Sequence, residues 1–249
     1  MKVNAAAAQK ISGSPTVQRA VDKARQAARE TAARLPRPTE QTVALRASDF
    51  AGVRTTALLV DGDEARLARK AARRLGLPRT IDDASAWASF GALAALLRIV
   101  DDGRRRSVIV DAVGQRSVFS QWATKIGFAP VHSDVMRPQV VGTDVDAGSV
   151  DFVVRLHPHS AVVDTVDEDL AWAGSALRTG GLVSITVRLD AAVAGGMSMA
   201  DLRSLIARVD EQGLSLVGDL SIDDSRKLRE LADTGAGGIG LALLTFRRR

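Results

Sequence analysis

Residues 148–187 read GSVDFVVRLHPHSAVVDTVDEDLAWAGSALRTGGLVSITV. Two apolar runs, VDFVVRLH (150–157) and LVSITVRL (182–189), bracket DEDLAWAGSALR (167–178), whose apolar spacing is helical. Gly180 and Gly181 end that helix and let the backbone turn straight into a central strand, where positive φ is needed. Near-continuous apolar strands around a helix predict a parallel unit covered on both faces.

The same rhythm extends in both directions. Upstream, SVIVDAVGQRSVFSQWATKIG (107–127) gives a strand, a turn and a helix closed by Gly127. APVHSDV (129–135) and QVVGTDV (139–145) are weaker strands. Downstream, MADLRSLIARVDEQG (199–213) is an amphipathic helix, and LSLVGDLSI (214–222) and GLALLTFRR (240–248) are late strands. Strands alternating with helices predict an α/β architecture with a mostly parallel sheet. Residues 1–106 read as a helical N-terminal extension or cap with one βα unit, and residues 107–249 as the α/β domain. Within the extension, ISGSPTVQRAVDKARQAARETAARLPRP (11–38) is a helix opened by Ser14-Pro15 and stopped by Pro36, a candidate surface for a protein partner or a second copy. ALLV (57–60) is a strand, EARLARKAARRLG (64–76) a helix, and 81–106 a largely buried helix carrying Trp87, Phe90, Leu93, Leu96 and Leu97.

From Ser107 onward the chain resembles the class I S-adenosylmethionine-dependent methyltransferases. The resemblance rests on Gly148-Ser149-Val150-Asp151-Phe152-Val153, like the G-S-F-D-x-V start of that family's fourth strand. It rests also on Leu177-Arg178-Thr179-Gly180-Gly181-Leu182, like its L-R-P-G-G-x-L turn. It covers a little over half the chain. It implies a Rossmann-like, mostly parallel seven-stranded sheet with a reversed late strand, and S-adenosylmethionine as cofactor. The implied reaction is methyl transfer to an O or N of a small-molecule or cell-envelope metabolite.

The family's first strand ends in D/E-x-G-x-G-x-G, and here the departure is plain. Aligned on Asp111, the three glycine positions hold Val113, Gln115 and Ser117; shifting by one residue recovers only Gly114. Glycines at such a turn let backbone approach a ligand without a Cβ between them. The resemblance assigns cofactor contacts to Asp111, Gly114, Asp134 (ribose side) and Asp144 (adenine side). Asp111 is equally a turn residue of the kind aspartate favours after a strand. The short interval Val135–Gln139, with Pro138 inside it, leaves no room for the helix that normally follows the ribose acid. The same glycine-poor turn therefore admits an alternative: a catalytically inactive binding or assembly module on a methyltransferase fold.

His157 and His159 flank Pro158 after the fourth strand, where open α/β sheets place ligands. His157 is the candidate general base for an acceptor proton. Arg116 is a candidate for a cofactor carboxylate or a phosphate, and equally a solvated arginine at the helix start. His-x-His with His132 and Asp134 also allows a metal reading, which no spacing supports further. There is no Gly-x-Ser-x-Gly elbow and no Walker loop, against a serine hydrolase or a P-loop NTPase.

The bulk numbers agree. A 249-residue chain with 46% apolar and 25% charged residues supports one large core. Having no cysteine, it has neither disulfides nor thiolate chemistry. No apolar run reaches the roughly 20 residues of a membrane span, and a cytoplasmic location is expected. The formal charge of +5 is concentrated near the start, in 66–79 and at Arg247–Arg249. With 4% aromatics and no tyrosine, stacking platforms for single strands are poorly supplied. The sequence therefore favours a small-molecule substrate over nucleic acid.

Overall fold

The apolar runs ALLV, SVIV, VDFVVRLH, LVSITVRL and GLALLTFRR each supply a strand. The computed structural model describes residues 42–132, 147–159, 165–189, 196–233 and 239–249, and all of these belong to one compact unit. A short 3-10 helix, Ala47–Phe50, precedes strand β1 (Ala57–Leu59) and helix α1 (Gly62–Arg74). Asp61 caps α1 by accepting from the amides of Asp63 and Glu64 at 2.8 and 3.1 Å. Helix α2 (Asp83–Ala95) runs on through a π turn at Leu96–Val100. Then come β2 (Ile109–Asp111), α3 (Val118–Lys125), β3 (Val131–His132) and β4 (Val150–Arg155). The remainder is α4 (Val166–Ala176), β5 (Leu177–Arg188), α5 (Met199–Glu211), β6 (Leu214–Leu216), α6 (Ile222–Asp233) and β7 (Leu241–Arg248).

The seven strands form one sheet in the order β1-β7-β5-β4-β2-β3, with β6 also on β7. β3, β2, β4 and β5 are mutually parallel, and β7 runs against β5. β1 and β6 pair antiparallel with β7, so among the described strands β7 alone is reversed. This is the Rossmann-like methyltransferase arrangement expected from the sequence.

β1 and β6 share one edge of β7 end to end: β1 takes Leu241–Leu243 and β6 takes Phe246–Arg248. Thr245 falls at the joint, where its ladder is completed from loops and side chains. Its amide donates to Thr56 Oγ1 (3.1 Å), its carbonyl accepts from Val217 N (2.7 Å), and its hydroxyl donates to Thr55 O (2.7 Å). No polar group is left stranded in this buried position.

Period-two alternation splits the core across the sheet. Ile109, Phe152 and Val154 face α1, α2 and α3; Val110, Val153 and Val183 face α4 and α5. The stretch Asp83–Val100 is apolar and long enough by composition to cross a membrane, but most of it is buried inside this fold. Residues 42–106, set apart in the sequence from 107–249, contribute β1 to the same sheet and α1 and α2 to the same core.

Two boundaries differ from the sequence expectation. Helix α4 stops at Ala176, not Arg178, because Leu177 already pairs with Val150 and the register then jumps to Phe152–Leu182. Gly180 and Gly181 lie in that irregularity, inside β5. The strand expected over 214–222 ends at Leu216. Gly218 turns the chain at φ +83°, and the unforeseen α6 follows. The helix expected at 11–38 and the strand at 139–145 lie outside the described residues.

Candidate functional site

In an open parallel sheet, the ligand crevice forms where the connections leave two adjacent strands in opposite directions. Here that point lies between β2, which leads through α3 to β3, and β4 on its other side. A cavity of about 280 Å³ occupies it. Asp111, Val113 and Arg116 of the β2–α3 turn form one wall, and the first turn of α3 (Ser117–Phe119) forms another. Leu156, just past β4, and Ser85 and Ser89 of α2 complete it.

Asp111 ends β2 fully buried, and its carboxylate holds the turn together. Oδ1 accepts from Val113 N at 2.9 Å, and Oδ2 accepts from Ser120 Oγ at 2.6 Å and from Ser117 Oγ. Ser117 in turn caps α3 by accepting from Ser120 N at 2.9 Å. The acid predicted at this position thus acts as the clasp between strand and helix. Gly114 sits at φ +106° with open space where a Cβ would be, so the turn keeps its one conformational need for glycine without a tight approach there. Val113 lines the cavity and narrows it; Gln115 is exposed outside it. Val118 and Phe119 line the cavity, and their amides belong to the first turn, where a helix supplies no internal acceptor.

Ser89 is the polar residue the sequence reading passes over. It is 2% exposed, lines the cavity, and its hydroxyl has no hydrogen-bond partner among the described residues. The signal is present: Ser89 is the single hydroxyl in AWASFGALAA (86–95). Its neighbour Ser85 donates to Asp82, the cap of α2. His159 Nε2 also bonds Asp82 Oδ2, at 2.6 Å, and so ties the loop after β4 to the start of α2. Burial pushes the Asp82 carboxyl up, but the donors Ser85 and His159 outweigh it and hold the group below its ordinary value.

His157 is half-buried, adjoins Leu156, and is not among the cavity-lining residues. Its amide donates to Thr186 Oγ1 at 2.7 Å. Burial pushes the imidazole pKa down, the Arg155 charge pushes it further, and Asp111 partly opposes both. Arg155 is itself tied to the buried Asp169, whose pKa burial raises despite that partner. His157 is therefore neutral at pH 7 in the folded state. The unfolded imidazole, with pKa about 6.5, binds a proton more readily. Its contribution to stability is complete above that value and declines as pH falls below it. The unfolding temperature is expected to fall on acidification from pH 7 to 5.5, and His157→Gln to flatten that slope; an unchanged slope would contradict the assignment.

Asp134 and Asp144 lie outside the described residues. Among the described residues, no three metal-ligating side chains converge.

No protein-family model matches the chain, and no curated protein matches it. Solved structures do. A Burkholderia thailandensis 1,6-didemethyltoxoflavin-N1-methyltransferase, with bound 1,6-didemethyltoxoflavin and S-adenosylhomocysteine, is 14% identical with a TM-score of 0.38. That match covers 76% of this chain and 79% of the other. An S-adenosylmethionine-dependent methyltransferase from Mesorhizobium loti is 16% identical (TM-score 0.39), over 65% of this chain and 98% of that one. A 30S ribosomal methyltransferase from an uncultured bacterium is 14% identical (TM-score 0.31), over 58% and 88%.

Proposed function

We propose that this chain is an S-adenosylmethionine-dependent methyltransferase acting on an O or N of a small molecule. The observation that carries the reading is the position of the cavity, at the β2/β4 switch point and bordered by the start of α3. The donor set suits the amino-acid end of that cofactor. Arg116 and the first amides of α3 suit a carboxylate. Ser89 offers its hydroxyl, and Asp111 places negative charge beside a cationic ligand.

The cofactor, when bound, supplies an electrophilic methyl group. Positioning of the acceptor for in-line attack then gives most of the acceleration, with the cavity walls fixing its approach. The attacking group must lose a proton, and we assign its acceptance to His157, which adjoins the cavity wall at Leu156 and so meets an acceptor that extends beyond the cavity.

A second reading, a methyltransferase fold that binds without catalysis, is favoured by the volume. About 280 Å³ lies just under the roughly 300–1,000 Å³ usual for small-molecule sites, and Val113 occupies a position where the family has glycine.

Titration with S-adenosylmethionine and S-adenosylhomocysteine decides. At a hundredfold excess over Kd, either ligand is expected to raise stability by about 2.7 kcal/mol. No thermal shift at millimolar ligand would remove the enzyme reading. Ser89→Ala is expected to keep the fold and weaken binding about fivefold to tenfold by calorimetry, the loss of one hydrogen bond. Unchanged affinity would remove Ser89 from the site.

A further inference from the structure

The formal charge of the chain is unevenly divided. Residues 1–41 carry eight Lys and Arg against three Asp and Glu, the whole excess of +5, so residues 42–249 are formally neutral. Within that neutral portion, charge is nevertheless segregated. Val43 and Leu45 are the meeting point of three segments. Val43 N donates to Lys125 O at 3.1 Å at the end of α3, and a Cβ on Gly76, just past α1, would lie 3.3 Å from Val43 Cγ2. Arg105 bonds both Leu45 O and Ile126 O and lies 4.9 Å over the Phe128 ring.

Each segment brings cations to this face. α1 supplies Lys70, Arg73 and Arg74, which are exposed and spaced at three and four residues, so they share one side of the helix. α3 supplies Lys125, and the flanking segments supply exposed Arg46 and Arg104. None of these six makes an ion pair among the described residues. The nearby acids are committed to their own turns: Asp49 accepts from Arg46 N (2.7 Å), Asp102 from Arg104 N (2.8 Å), and Asp101 pairs with Arg105. Basic residues at helix C-termini also answer the helix dipole. That accounts for Arg73, Arg74 and Lys125, but not for Lys70, Arg46 or Arg104.

We propose that this face docks double-stranded nucleic acid through its phosphates. Six cations without an ion pair among the described residues, on segments that meet at Val43 and Leu45, suit the repeating charge of a duplex backbone. No aromatic side chain is exposed among the described residues, so stacking with unpaired bases is not supplied. A membrane surface would need apolar anchors beside the cations. On this helix Leu67 is the one exposed large hydrophobic side chain. The face lies at the C-terminal ends of α1 and α3, while the cavity is at the N-terminal end of α3, so this docking does not depend on cofactor binding.

The test is fluorescence anisotropy of the full chain with a labelled RNA duplex, a DNA duplex, a single strand of equal length, and anionic vesicles. Duplex binding is expected with Kd of about 1–100 µM at physiological salt and a steep log–log dependence on salt. Arg73→Gln/Arg74→Gln/Lys125→Gln is expected to weaken it at least about tenfold and to lower the salt slope by about one for each phosphate no longer neutralised. Arg203→Gln/Lys227→Gln/Arg247→Gln, which removes equal charge elsewhere, is expected to leave it unchanged. Thermal melts establish that both triple variants are folded. Equal weakening by the two triple variants, or preference for single strands or vesicles over duplex, overturns the proposal.

Discussion

Replacing Asp111 by alanine is expected to destabilise the fold by about 3 kcal/mol and to abolish ligand binding in the cavity. The carboxylate is fully buried and accepts from three donors: one amide and two hydroxyls. Hydrogen bonds to a charged group each contribute about 1.5–3 kcal/mol, and a buried donor left without its partner adds a desolvation cost. The hydroxyls of Ser117 and Ser120 can turn elsewhere, which keeps the total below the sum. Asp111→Asn separates charge from geometry. Its carbonyl can still accept from Val113 N, while its NH₂ donates to hydroxyls that reverse their role. It should cost only about 1 kcal/mol and retain the turn. Urea unfolding midpoints with unchanged m-values measure both; equal, small losses would mean that the clasp contributes little.

Gly181→Ala is expected to cost at least about 3 kcal/mol, the larger of two neighbouring effects. A Cβ at Gly181 would stand 2.9 Å from Arg178 O and 3.1 Å from both Asp151 O and Val150 O. Three backbone oxygens converging from two strands cannot all withdraw without breaking the β4–β5 register. Gly180 beside it has φ +81° and open space, so Gly180→Ala meets only conformational strain, about 1 kcal/mol. The contrast is the test: if both variants melt together, close packing is not what selects Gly181.

The Gly-Gly pair is legible in the sequence as a break between helix and central strand, but the structure places it inside β5, after the helix has already ended at Ala176. Its detailed role is not legible, because the irregularity depends on how β5 registers against β4. The alternating strands of 107–189 are likewise readable, since burial on both faces leaves little choice of residue. Helix α6 escapes the sequence reading because IDDSRKLRELAD has a mostly polar face and follows a glycine turn that resembles the middle of a strand. The site is legible only on its β2 side. Ser85 and Ser89 come from a helix that reads as part of a separate extension, and only the pairing of β1 with β7 brings that segment into the sheet. Asp111 stands out as a residue, but its clasp is hidden. In the sequence, Ser117 is merely a position where glycine is wanting, and Ser120 is an ordinary helix residue.

The end-to-end joint on β7 has a consequence for how the chain is made. Thr56 and Thr245 meet across 189 positions of sequence, so β1 must wait, once synthesised, for almost all of the remaining chain before its edge partner exists. Until then the apolar segment 57–59 lacks its edge partner, while the helix behind it already has α1, α3 and β4 to pack on. Such late, distant pairing slows folding and leaves sticky intermediates during translation. A nascent chain arrested before β7 should be captured by holding chaperones, and release of those last strand residues should discharge it.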